Sequence, residues 1–465
     1  MAASALYAAL PVPIQHLATA AYGLKMRRVR YGSVYRQTRR ALAASERAAR
    51  DELGRLQAQE LRRVVLHAAS RTRYFSELFR ELRLSPEAIR APEDLRRLPV
   101  LDKATVLARA QDLWATSVAS VQSYFTSGTT GTTLEVPIDD ASRQRNYAFF
   151  MRALSWAGVE GGRSATFAGR PIVSATATRP SMVWRWNPAM RNRLFSSYHL
   201  SAANVAAYSR VLCAYAPDYI DSYPSSVATL ASLLEEASLP APRPRAVITS
   251  AETLTVSQRE LIERVFGRCF DQYGCTEQSV FVSQCEYGTY HVHPEYGIVE
   301  ILRPSGDPAR PGEIGEIVCT SFTNDAFPLL RYRVGDLAVV GEPGCPCRRE
   351  FPVLQEIVGR MDDVLTTPDG RAIGRLDPVF KGRRAIREAQ IVQLSSSRVV
   401  VRIVPGPDYT DEDGVSVVQE MAGRLGKEME IFVERVDSIE RTTGGKFRAV
   451  VNQSRRHVVD IGTAE

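Results

Sequence analysis

Lysine is nearly absent from this 465-residue chain. Only Lys25, Lys103, Lys381, Lys427 and Lys446 carry an ammonium, against 54 arginines. That skew fits a GC-rich genome, and it makes each lysine informative, because arginine was the default basic choice. Long apolar runs are missing as well. The most apolar start, Ala2–Tyr22, is interrupted by Pro11, Pro13, Gln15 and His16, and its basic residues (Lys25, Arg27, Arg28, Arg30) come after the apolar part. This excludes a spanning helix there and does not read as a signal peptide. An amphipathic segment that packs on its own domain is expected, and weak contact with a membrane surface is the alternative. No basic block interleaved with aromatics occurs, so nucleic acid is not an expected partner. Internal repeats and low-complexity tracts are also lacking.

What is present is the composition of a soluble globular protein, 45% hydrophobic and 24% charged. The length calls for two or more domains. The net charge of +7 and pI of about 9.0 favour anionic small molecules or an anionic surface. Seven scattered cysteines and the absence of a leader pattern predict a cytoplasmic, reducing setting, in which clustered cysteines bind metal in preference to pairing.

Residues 37–95 have helical spacing and predict two or three surface helices. A further helix begins near Asp102. From about 140 to 240 helical patterns alternate with short apolar runs, as in a layered α/β domain. Arg245–Thr249 predicts a buried parallel strand with Ser250, Ala251 and Glu252 at its C-terminal end, where open α/β sheets bind ligands. A helix (258–266) and a strand (268–272) follow, ending in Tyr273, Gly274, Cys275, Thr276 and Glu277. After Gly297 the pattern turns β-rich, with strands at 298–302, 314–321 and 337–340, predicting a small barrel or second sheet. Residues 359–363 read as a linker. Beyond them a small α+β unit is expected, with strands at 390–394, 398–404 and 430–436 and a helix at 413–427.

Residues Thr126, Ser127, Gly128, Thr129, Thr130, Gly131 and Thr132 form an unbroken Thr/Ser/Gly loop. Two glycines let backbone approach a ligand, and hydroxyls and N–H groups suit phosphate oxygens. It is not a Walker A loop, since no Gly-Lys-Ser/Thr follows. Taken alone it is equally a solvated turn. Five other motifs follow in order: Ser250–Glu252, Tyr273–Glu277, Tyr332-Arg-Val-Gly-Asp336, Gly359-Arg-Met-Asp-Asp363 and Thr443-Gly-Gly-Lys-Phe-Arg448. The ordered set resembles the adenylate-forming superfamily of acyl-CoA synthetases and adenylation domains. Within it, the chain is most similar to the phenylacetate–CoA ligase group and its CapK-like branch, to which segments 10–15, 22–25, 30–32 and 221–225 are also similar. The resemblance covers essentially the whole chain and is specific for superfamily, not for substrate.

The resemblance implies an α/β fold. A large N-terminal core (1–359) would comprise a helical region (1–100), layered sheets and a β-rich subdomain (about 285–358). A hinge (360–363) would connect it to a mobile C-terminal domain (364–465). It implies ATP, Mg²⁺ and coenzyme A, with a carboxylic acid as substrate. A carboxylate attacks the α-phosphate and pyrophosphate leaves, so catalysis is positioning and electrostatics. On this reading Thr126–Thr132 hold the β- and γ-phosphates. The lysine that ends this loop in larger branches is replaced by Leu134. Glu277 binds Mg²⁺, as a hard cation prefers. Thr276 touches the α-phosphate, and Tyr273 with residues 250–252 flanks adenine. Asp336 accepts from both ribose hydroxyls, Arg360 reaches ribose or phosphate, and Asp362 is the hinge. Lys446 inserts between carboxylate and α-phosphate, where a planar guanidinium substitutes poorly.

Tyr198, His199, Tyr223 and Cys275 are the candidates to line an acyl pocket for an aryl or apolar acid, although core packing explains aromatics equally well. The rival readings are transfer of the adenylate to an amine or hydroxyl acceptor, and a silent scaffold of the same fold. Dimers are common in the resembled group, so a homodimer is compatible with it. Separately, Cys285, His291, Cys345 and Cys347 supply three thiolates and one imidazole, a normal structural zinc set. His293 competes for the nitrogen position, because alternation along Tyr290–His293 puts both imidazoles on one face.

Overall fold

The computed structural model describes residues 7, 10–116, 118, 121–126, 133–169, 172–173, 182–360, 365–369, 372–373, 376–380, 383, 385–426, 428–442 and 445–454. Residues 127–132 of the Thr/Ser/Gly loop, the hinge candidate Asp362, and Thr443 and Gly444 lie outside the described residues.

Helix Val12–Arg30 opens the N-terminal helical region, and three helices, Ser33–Ser45, Arg50–Arg71 and Arg73–Glu81, follow it. They are not mere surface cover. Leu61, Val65, Ala68 and Phe75 are fully or almost fully buried in one core with Val280, Ile317 and Tyr332. The helical period in this stretch therefore marks a face that seals the β-rich half. Asp102 caps the next helix, Lys103–Ala108, by accepting the Thr105 N–H at 2.7 Å.

A twelve-stranded sheet forms the centre. Asn192–Ser196, Ser164–Ala168, Tyr219–Ser222, Ala246–Ser250 and Cys269–Gly274 lie parallel side by side. Ala246–Ile248 are fully buried, as expected of a parallel strand covered on both faces. Helices Pro224–Glu236 and Val256–Val265 pack in the same core as these strands.

The β-rich region is continuous with this sheet, where the sequence led us to expect a separate barrel or second sheet. The free edge of Cys269–Gly274 is taken up antiparallel by Phe281–Gln284, and pairing runs on through Tyr290–Val292, Val353–Arg360, Tyr332–Val340, Ile314–Ser321 and Gly297–Leu302. The physical reason is the turn at 275–280. It reverses the chain next to its own strand and so extends the existing ladder.

Gly359 and Arg360 belong to the end of a strand, with Arg360 directly opposite Asp336. The C-terminal unit is a four-stranded sheet in the order Glu430–Arg435, Arg398–Pro405, Ile386–Ser395, Val450–Asn452. Helix Asp411–Leu425 buries Val417, Met421 and Leu425 against it.

Candidate functional site

The C-terminal ends of the parallel strands, Val334 and Asp336 of strand Tyr332–Val340 and residues 446–448 meet around a cleft of about 1350 Å³. Two turns at its rim hold left-handed non-glycine residues, Ala251 (φ 72°) and Gln278 (φ 56°). Such backbone costs on the order of 1 kcal/mol per residue and persists only where surroundings enforce it. Ala251 directly follows strand Ala246–Ser250 and lines the cleft; Gln278 directly follows Glu277.

Thr126, Ala251, Glu252, Tyr273, Gly274, Cys275, Thr276, Glu277, Asp336, Arg360 and Lys446 all line this one cleft, although 320 positions separate the first from the last. Thr126 closes the base of its loop: its N–H donates to the Leu134 carbonyl and its Oγ1 accepts from the Leu134 N–H, both at 3.0 Å. The Tyr273 hydroxyl donates to Asp336 Oδ2 at 2.6 Å, and Arg360 Nη1 lies 3.5 Å from Asp336 Oδ1 and donates to the Val334 carbonyl. Burial pushes the Asp336 carboxyl up, and Arg360 and Tyr273 pull it back. The Tyr332 hydroxyl donates to Glu277 Oε1 at 2.9 Å. Cys275 Sγ lies 3.0 Å from Ser279 Oγ, and burial pushes its thiol up to about 12, which keeps it neutral.

Lys446 is half-buried in the cleft wall. Burial lowers its pKa, while Glu252, then Asp336 and Glu277, pull it up and Arg360 pushes it down. Its backbone is held from two sides. The Phe447 N–H donates to Glu252 Oε1 at 2.6 Å, and the same carboxylate accepts the Ser225 N–H and hydroxyl at 3.0 and 3.1 Å. Gly445, at φ 73°, sits so close to the core that a Cβ there would lie 2.8 Å from Tyr198 Oη and 3.1 Å from Gly169 Cα.

Of the acyl-pocket candidates, Cys275 lines the cleft. Tyr198 instead abuts Gly445 and donates to the Gly169 carbonyl at 3.0 Å. His199 is buried with Nδ1 2.7 Å from Ser196 Oγ, and Tyr223 caps a helix with its N–H on the Phe167 carbonyl. Neither is among the residues lining the cleft, because each is spent on a local strand-end turn. Glu252 was expected at the adenine, but its link to Phe447 had no sequence signal, and one further residue was missed. Lys103 lines the cleft and its charge lowers the Asp336 pKa; its rarity as a lysine was the available signal.

A second cluster lies elsewhere. One donor atom from each of Cys285, His291, Cys345 and Cys347 falls within 4.8 Å of all the others. Cys285 Sγ and Cys345 Sγ are 3.7 Å apart, and Cys347 Sγ is 3.3 Å from His291 Nε2. A tetrahedral ion with bonds of roughly 2.0–2.3 Å places its donors about 3.3–3.8 Å apart, a range that these two separations meet, so the set could hold zinc. His293 is the wrong imidazole. Its Nδ1 accepts from Arg152 Nε at 3.1 Å, its Nε2 meets Ser283 Oγ at 2.7 Å, and its ring stacks on Trp156.

Residues 365–453 match the CapK C-terminal domain family. Over 450 residues the chain is 23% identical to Protein CapK of Staphylococcus aureus, covering 95% of this chain and 97% of that one. It is 25% identical over 338 residues to a phenylacetate-coenzyme A ligase of Thermus thermophilus, covering 68% and 72%. Its fold is similar to a solved 2-hydroxyisobutyryl-CoA ligase in the postadenylation state (TM-score 0.69, 19% identity, 90% and 94% covered). The same ligase in the thioesterification state gives a TM-score of 0.57, at 20% identity and the same coverage.

Proposed function

We propose that the chain is an AMP-forming ligase of the adenylate-forming superfamily, in its CapK and phenylacetate–CoA ligase branch, that activates a carboxylic acid with ATP and passes the acyl group to coenzyme A, with an aryl or apolar acid as substrate. The matches to the CapK C-terminal domain, to CapK and to phenylacetate–CoA ligase support the branch. The observation that carries this reading is Lys446. The last of five lysines is held by Glu252 and Gly445 in the wall of a cleft that also presents Asp336, Arg360, Glu277 and Thr276.

The chemistry follows from charge. A carboxylate oxygen attacks the α-phosphorus, and the bond to pyrophosphate breaks. Negative charge grows on the α-phosphate oxygens, and an ammonium fixed beforehand stabilises it. Lys446 supplies that ammonium. Asp336, held by Tyr273, accepts from the ribose hydroxyls, and Arg360 steadies Asp336 and the nucleotide. Thr276 is assigned to the α-phosphate, and the Thr/Ser/Gly sequence that begins at Thr126 to the β- and γ-phosphates. Glu277 fits Mg²⁺, since Tyr332 engages Oε1 and no described residue donates to Oε2. The metal would neutralise phosphate charge. Asp362 serves as the pivot that lets the C-terminal unit swing between half-reactions. The Cys285, His291, Cys345 and Cys347 set would hold a structural zinc ion, whose four positions these protein donors would fill.

One assay tests this reading and separates it from its rival, transfer of the adenylate to an amine or hydroxyl in place of coenzyme A. It is pyrophosphate release with ATP·Mg²⁺, over a panel of aryl and aliphatic acids with and without coenzyme A. Acid-dependent release accelerated by coenzyme A, with a thioester product, supports the thiol. Release indifferent to coenzyme A supports the other acceptor. Absence of both release and ATP binding rejects the ligase reading.

A further inference from the structure

Helix Val12–Arg30 is turned inside out. It buries Gln15, Thr19, Gly23 and Met26 and exposes Ile14, Leu17, Tyr22 and Leu24, by 46%, 70%, 52% and 47%. A surface helix normally does the reverse. The orientation is not loose. Gln15 Oε1 accepts from Arg185 Nε at 2.7 Å, and His16 Nδ1 accepts the Trp186 N–H at 3.0 Å. At Gly23 the helix lies so near Asn187 that a Cβ would be 1.8 Å from its Oδ1. The polar side is locked onto strand Trp184–Asn187, so the apolar side must face outward.

At about 100° per residue, Ile14, Leu17, Ala21 and Leu24 form one stripe, and Arg28 continues it. Lys25 and Arg27 are exposed beside its C-terminal end. Trp186, on the edge strand that receives the helix, is also 51% exposed.

Charge selects the occupant. The first 45 residues contain seven basic side chains (Lys25, Arg27, Arg28, Arg30, Arg36, Arg39, Arg40) and no acid before Glu46. The remaining 420 residues balance 52 basic against 52 acidic, so the entire net charge of the chain resides in this segment. A second copy docked on the stripe would set two acid-free segments against each other, which like-charge repulsion opposes. An anionic bilayer satisfies both features.

We propose that the exposed face of helix Val12–Arg30 seats on an anionic lipid surface, with Ile14, Leu17 and Leu24 at the headgroup–acyl boundary and Lys25, Arg27 and Arg28 against lipid phosphates. The helix lies in the interface and does not cross it; no helix among the described residues is long and apolar enough to do so.

The test is co-sedimentation of the full-length protein with phosphatidylcholine vesicles and with vesicles also containing phosphatidylglycerol. We expect binding to the anionic vesicles alone, weakened at about 0.5 M salt, where screening shortens the range of charge. Leu17→Glu with Leu24→Glu should lose at least tenfold in partitioning. Arg27→Gln with Arg28→Gln should lose roughly fivefold per residue. All four positions are exposed and away from the cleft, so pyrophosphate release without vesicles should not change. Equal binding by wild type and Leu17→Glu/Leu24→Glu, or no binding at all, overturns the proposal. So does a dimer in solution that Leu17→Glu/Leu24→Glu dissociates, because the face then belongs to a second copy.

Discussion

The cleft and the Cys/His cluster are both polar constellations, and they are built in opposite ways. The cluster draws four donors from residues 285–347 of one continuous sheet region and closes them on one another. The cleft draws Asp336 from the central sheet and Lys446 from the segment that precedes strand Val450–Asn452, a segment that contacts the core through Phe447 to Glu252 and at Gly445. Within the cluster the donors are mutually near and their surroundings apolar: Trp156, Phe351, Cys285 and Cys347 share one core. In the cleft, opposite charges stand together around an open space, as Arg360 and Asp336 do at 3.5 Å. A closed site contributes to folding, whereas an open one is available to a ligand.

That contrast breaks first at the metal. Replacing Cys345 and Cys347 by serine should abolish one equivalent of zinc per chain and lower Tm by on the order of 10 °C. The folded fraction should keep its pyrophosphate release. Metal analysis with calorimetry checks this, and activity lost at unchanged Tm would assign the cluster to the cleft's chemistry.

The reverse pattern is expected at Lys446. Lys446→Ala should slow pyrophosphate release by roughly 10²–10³-fold, the cost of removing one preorganised donor from developing charge. Tm and thioester formation from preformed acyl-adenylate should not move. The pH profile sharpens this. The ammonium is the working form, and burial lowers its pKa against the pull of Glu252. Adenylation should therefore fall on the alkaline side at a lower pH than an ordinary lysine would give. A profile unaffected by the Lys446→Arg substitution would remove Lys446 from the step.

Much of this contrast was legible in the sequence. The Ala246–Ser250 strand, the turn after it and the order of the six motifs required only local chemistry: β-branched runs, turn residues and helix caps. The three cysteines and two histidines were equally visible. Period-two alternation could not choose between His291 and His293, since it places both on one face. The choice came from Arg152 and Ser283, which occupy both nitrogens of His293. The Glu252–Phe447 bond was hidden for a different reason: it pairs segments that no local preference brings together, across 195 positions. The continuity of the sheet hung on whether the turn at 275–280 reverses the chain beside its own strand, which turn composition alone did not decide. Tyr198 and His199 were read as pocket walls because aromatic residues in an α/β domain serve packing and ligand alike.

The Glu252–Phe447 bond itself should show an intermediate effect. Glu252 uses both oxygens as acceptors, for Phe447 and for Ser225. In Glu252→Gln one of them becomes an amide that cannot accept, and a hydrogen bond to a charged group is worth about 1.5–3 kcal/mol. Adenylation should fall about tenfold, with thioester formation from preformed adenylate spared. Burial raises the Glu252 carboxyl, so wild type should lose the same contact as pH falls through that raised pKa, while Glu252→Gln should lack this acid limb. Equal slowing of both half-reactions would make Glu252 a general structural residue and not a latch on the lysine segment.

The smallest effect is expected at Tyr273, and it decides what that side chain does. Its hydroxyl holds Asp336 at 2.6 Å, while its ring lines the cleft. Tyr273→Phe keeps the ring and removes one hydrogen bond to a carboxylate, so the KM for ATP should rise about three- to tenfold with little change in kcat. Burial already pushes the Asp336 carboxyl up, and losing the hydroxyl pushes it further. The rise in KM should therefore be greatest at low pH, where more of Asp336 is protonated and fewer oxygens can accept from ribose. Tyr273→Ala removes both functions. If it is no worse than Tyr273→Phe, the ring contributes nothing to nucleotide binding and the hydroxyl alone accounts for the residue.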